Sequence, residues 1–146
     1  MRIEILRALS TKKIAPKLWV VTEPFVVYVD GRILTVPKGF VTDFGSIPRY
    51  CYPISAPASG PMAEGYVVHD WLYNQQSGKG YPKEFADNVM RAIGIHCGAP
   101  KLQANSVHFA VHLFGKKHYK AIGKKPLPKT LYVFKEEQWD LLFQQN

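Results

Sequence analysis

The chain has 146 residues, 47% of them hydrophobic and 21% charged, which suits one domain with its own core and excludes a chain disordered throughout. Its apolar runs are short and broken by proline, glycine or charge, well under the roughly 20 residues that span a bilayer, so an integral membrane protein is not expected. The 19 Lys and Arg against 11 Asp and Glu give a formal net charge of +8, which points to phospholipid headgroups or nucleic acid as partners, or to a solvated surface and a charged tail. Much of the excess lies between Lys116 and Lys129. Cys51 and Cys97 lack CxxC or finger spacing, so two free thiols are expected rather than a disulfide framework or a zinc ribbon. Residues 1–7 carry Glu4 within their apolar stretch and no small-residue cleavage pattern, so no signal peptide is expected.

In chain order, strands are expected at 18–21, 25–29 and 33–36, all rich in β-branched and aromatic residues. Asp30-Gly31 joins the last two and tolerates the positive φ of a type I′ hairpin turn. Pro37-Lys38-Gly39 ends the hairpin, because proline cannot donate to a ladder. Residues 40–65 hold four prolines and three glycines, an irregular stretch of the kind that lines sites. A helix is expected at 62–76, with Met62, Tyr66, His69 and Tyr73 on one stripe. Gly78-Lys79-Gly80 breaks it, and Pro82 suits the first position of a second helix at 83–96, whose apolar side is Phe85, Val89, Ala92 and Ile93. After Gly98-Ala99-Pro100 comes a third helix at 101–120. The expected architecture is α+β: a small antiparallel hairpin or sheet, then a helical hairpin and a third helix. Residues 1–122 form the domain, and 123–146 a basic extended linker with a terminal amphipathic element, a strand at 131–134 and a helix at 136–143.

The chemistry gathers around the first two helices. His69 and Asp70 are adjacent, so on a helix their side chains diverge by about 100° and each needs a different partner. A short connection makes the two helices antiparallel neighbours and returns Asp87 toward His69. An Asp87 carboxylate would fix the His69 tautomer and leave the other ring nitrogen as a base, with Tyr73 donating to the same carboxylate. Asp70 then suits a hard cation such as calcium or magnesium. A second arrangement has His69 bind zinc or iron directly, with Asp87 or Asp43. A third makes the whole set a buried polar staple between helices.

Upstream, residues 39–49 pack Asp43, Ser46 and Arg49 into one loop. Asp43 reads either as a further metal carboxylate or as a turn that caps its own backbone amides; Arg49 reads as an anion clamp, with Ser46 beside it in the substrate-binding set. Ser46 is not in a nucleophile elbow and is not expected to attack. His108 and His112, four apart without an intervening Glu, are expected as core or surface histidines.

The ordered set GFVTDFGSIPR at 39–49, HDWLY at 69–73 and AD at 86–87 resembles an uncharacterised family of tailed bacteriophages and prophages, over about 23–119. That resemblance implies a phage-encoded protein of the host cytoplasm or virion, with phage structural proteins among its partners. HDWLY followed by AD also resembles the HDxxY and later Asp of phospholipase A2. This second resemblance implies His69 as base, Asp87 as its orienting carboxylate, Tyr73 as support and Asp70 as calcium ligand, although no YxGxG loop precedes the first helix. The expected function is a metal-assisted hydrolase, using calcium or zinc, on a phospholipid ester or cell-wall component. The competing expectation is a non-enzymatic virion, tail or host-interaction protein, and nucleic-acid binding through the late lysines comes third.

Overall fold

The computed structural model describes residues 1–44, 60–74 and 81–124, with only the helical backbone given for 114 and for 116–124. Ser46, Arg49 and Cys51, the linker beyond 124 and the expected elements at 131–143 lie outside the described residues.

The expected α+β class is what the structure has. Strands β1 (Ile3–Arg7), β2 (Thr11–Ala15), β3 (Leu18–Val21), β4 (Phe25–Val29), β5 (Arg32–Val36) and β6 (Val41–Thr42) precede helices α1 (Ala63–Tyr73), α2 (Lys83–His96) and α3 (Lys101–Lys124). The strands form two antiparallel three-stranded sheets, β1-β4-β5 and β2-β3-β6. In the first, Phe25, Val27, Val29, Leu34 and Val36 point inward at alternate positions, as a half-covered sheet requires. Val29 pairs with Arg32 across a two-residue turn, and Asp30 and Gly31 take φ of 44° and 85°, the signs a type I′ turn needs.

Three strands were not among those expected: β1, β2 and the two-residue β6. β1 alternates Ile3 and Ile5 with Glu4 and exposed Leu6, and pairs with β4 from Ile3↔Val29 onward. β2, with its two lysines, has little strand propensity of its own and is held by pairing with β3.

Antiparallel contacts join α1 to α2 and α2 to α3. The α1–α2 crossing is close because Gly65 has no side chain: a Cβ there would lie 2.6 Å from the Met90 carbonyl oxygen. Pro82 sits at the N-cap of α2 (φ −58°, ψ 144°), one residue before the expected first helical position, since its extended ψ places it outside the helix. At the other end Gly98 (φ 102°) lets Ala99 N donate to Gly94 O at 2.9 Å and Gly98 N to Ile95 O at 3.0 Å, a Schellman closure. α3 runs to Lys124 instead of ending near 120, so residues 123 and 124 are helical and not part of an extended linker. Ala121-Ile122-Gly123 only weakens a helix, by about 1 kcal/mol at the glycine, and the first prolyl stop is Pro126.

Candidate functional site

Three helices build the site. The spacing of four between His69 and Tyr73 stacks both on the buried side of α1, with ring centroids 3.9 Å apart. From α2, Asp87 meets them: His69 Nε2 is 2.7 Å from Asp87 Oδ1, and Tyr73 donates its hydroxyl to the same oxygen at 2.6 Å. Lys83, one turn before Asp87, donates to Oδ2 at 2.5 Å and to the Val111 carbonyl oxygen of α3 at 3.2 Å. α3 closes the cluster at Gly115, where a Cβ would be 3.2 Å from the Tyr73 hydroxyl and 3.3 Å from Lys83 Cε.

Asp87 is 1% exposed, and burial alone would raise its carboxyl. The bonds from His69, Lys83 and Tyr73 outweigh that and hold it at about 2. Asp87 is therefore ionised and accepts only, so the ring nitrogen facing it, Nε2, carries a proton.

Asp70 points elsewhere, as its adjacency to His69 demands. Its Oδ2 accepts from Thr42 Oγ1 at 2.9 Å, and Thr42 Oγ1 accepts from the Phe44 amide at 3.0 Å. The two-residue strand β6 thus positions the carboxylate partner of α1. Phe44 is held in the left-handed region (φ 57°), a costly backbone conformation, with its ring edge-on to Trp19, centroids 5.0 Å apart. Burial and the nearby charge of Asp43 push the Asp70 carboxyl up to about 7, against the lowering effect of Thr42.

The structure thus brings together His69, Tyr73 and Asp87 in one cluster and Asp70 with Asp43 in another. Sequence reading overlooked Lys83, although its spacing of four from Asp87 was a usable signal, and Thr42 and Gly115, which depend on tertiary placement. His108 Nε2 shares a hydrogen bond with Asn88 Oδ1 at 3.0 Å, and His112 is exposed, so the pair does not converge on one ligand set. Among the described residues no three His, Cys, Asp or Glu groups gather into a set that could hold a metal ion. The donors at the Asp70 end are two carboxylates and a hydroxyl, all oxygen, which fits calcium or magnesium better than zinc.

Among the described residues no helix is long and apolar enough to cross a membrane. The family described as a protein of unknown function (DUF1353) matches residues 19–111, from β3 into α3 and across both carboxylate clusters, and the chain belongs to that family. No curated protein and no solved structure matches the chain.

Proposed function

We propose that this family member is a phage-encoded hydrolase that uses His69 as general base on an acyl bond of the cell envelope, a phospholipid ester or a cell-wall component. One observation carries the reading: Asp87 Oδ1 accepts a hydrogen bond from His69 Nε2 at 2.7 Å while the Tyr73 hydroxyl donates to the same oxygen at 2.6 Å. In this reading Nδ1 is the nitrogen that acts as base, in a tautomer that the Asp87 contact selects. Nδ1 takes a proton from water as its oxygen adds to the acyl carbon, and the imidazolium returns that proton to the departing oxygen or nitrogen. Asp87 stays ionised throughout and stabilises the transient positive charge. Lys83 fixes Asp87 from the far side, and Arg49 and Ser46 are the anion-binding residues in this reading.

Asp70 and Asp43 would hold a calcium ion, whose charge would polarise the acyl oxygen. Two neighbouring carboxylates of which one is pushed toward its neutral form support a cation there, because a divalent charge relieves their repulsion.

The test is release of fatty acid from vesicles and of soluble fragments from peptidoglycan, with calcium and with chelator, for the wild type and for His69→Gln. Calcium-dependent turnover on one substrate and a loss of at least about 100-fold in His69→Gln are expected, with cooperative unfolding retained. Wild type inert on both substrates, or His69→Gln as active as wild type, would overturn the reading. For the metal, calcium at about 100 times its Kd should stabilise the wild type by about 2.7 kcal/mol and leave Asp70→Asn unmoved; equal response of the two would remove Asp70 as a ligand.

A second reading, a virion, tail or host-interaction protein in which the cluster only staples helices, is favoured by the Lys83 bridge from Asp87 to the Val111 carbonyl. It predicts that every variant that still folds keeps phage function.

A further inference from the structure

We propose that the outer face of α3 is a docking surface for an anionic phospholipid membrane. Leu102, Phe109 and Leu113 are 80%, 63% and 52% exposed. Their spacings of seven and four put them in one stripe along the helix. Among the described residues the other exposed large apolar side chains, Met1, Leu6, Leu18 and Ile33, are scattered over the strand region and its start, as single exposed apolar groups commonly are.

Rotation of α3 cannot bury the stripe, because the opposite face is already committed. Ala104 and Val107 are buried in the core, and the Val111 carbonyl oxygen is tied to Lys83. Among the described residues, then, nothing is placed to cover the stripe.

Charge selects the occupant. By the 3.6-residue period, positions 116, 117, 120 and 124, each a lysine, fall on the same face of the helix as Leu102, Phe109 and Leu113. A second copy of this chain, at +8, would set lysine against lysine. A nucleic acid would neutralise the lysines and leave the leucines and Phe109 in water. A membrane with anionic headgroups above an apolar interior satisfies both halves of the face at once. The His69 cluster lies on the other side of α3, at Gly115, so this contact tethers the chain and does not require that the site turn over a lipid.

The experiment is co-sedimentation of the full chain with phosphatidylcholine vesicles, with and without phosphatidylglycerol, repeated for His69→Gln so that turnover plays no part. Binding is expected only with phosphatidylglycerol. Replacing Lys116, Lys117, Lys120 and Lys124 by Gln should weaken it about fivefold per lysine at low salt. The double variant Phe109→Ser, Leu113→Ser should weaken it at least about tenfold, with an unchanged unfolding curve because both side chains are exposed. Equal binding to vesicles without phosphatidylglycerol, or wild-type binding by either variant, would overturn the proposal. So would a dimer in sedimentation velocity that the Phe109→Ser, Leu113→Ser variant abolishes, or DNA binding that persists at salt where vesicle binding is lost.

Discussion

Asp87 on α2 and Asp70 on α1 are the same residue type, and their surroundings drive them in opposite directions. Asp87 sits among three donors from two helices, which outweigh its burial and hold it at about 2; Asp70 is pushed up to about 7 by burial and by the charge of Asp43, against one hydroxyl donor. Burial pushes both carboxyls up, so burial by itself does not decide ionisation. What decides it is whether the donors outnumber the opposing charges. The Asp87 end is a network of three donors on one carboxylate, and the Asp70 end is where the cation proposed above would bind.

The comparison breaks most visibly on removing the finished end. Asp87→Ala strands His69, Tyr73 and the Lys83 ammonium, and should cost about 3–5 kcal/mol of unfolding free energy in urea; a loss under 1 kcal/mol would mean that the network contributes little. Acid titration gives the next effect. The Asp87 carboxyl is depressed on folding, so its contribution is present above the ordinary value of 3.8 and is lost as the pH falls toward about 2, a loss of about 2 kcal/mol. Asp70 has the reverse sign: its folded value is raised, so its contribution is present below 3.8 and is lost as the pH rises through about 7. Stability measured in chelator should therefore decline from mildly acidic pH toward pH 8, and Asp70→Asn should flatten that decline. The smallest effect sharpens the contrast: at pH 7 in chelator Asp70→Asn should be neutral or stabilising by up to about 1 kcal/mol, because it removes repulsion with Asp43 and keeps an acceptor for Thr42. A destabilisation above that size would place Asp70 among the paired carboxylates.

Much of this contrast was legible before the structure. Adjacency of His69 and Asp70 demanded separate partners, and the short break before Pro82 returned Asp87 to the His69 side. Local chemistry also placed the Asp30-Gly31 turn and both ends of α2, because a proline and a glycine punctuate that helix. What sequence reading missed depends on distant partners. β2 is a strand because β3 lies beside it, and Thr42 meets Asp70 only because a two-residue strand passes α1. Gly115 counts only because Tyr73 and Lys83 crowd it. Lys83 is different: its spacing from Asp87 was in plain view and was passed over in favour of the more reactive residue types.

The proton on His69 Nε2 is enclosed by Asp87 and the Tyr73 ring in a side chain only 10% exposed. Such a proton exchanges with water when the helices part, and not by ordinary side-chain motion. It should appear as a persistent imidazole resonance in a magnetic-resonance spectrum of the folded chain. Its exchange lifetime would then clock the opening of the α1–α2 pair without any substrate being known.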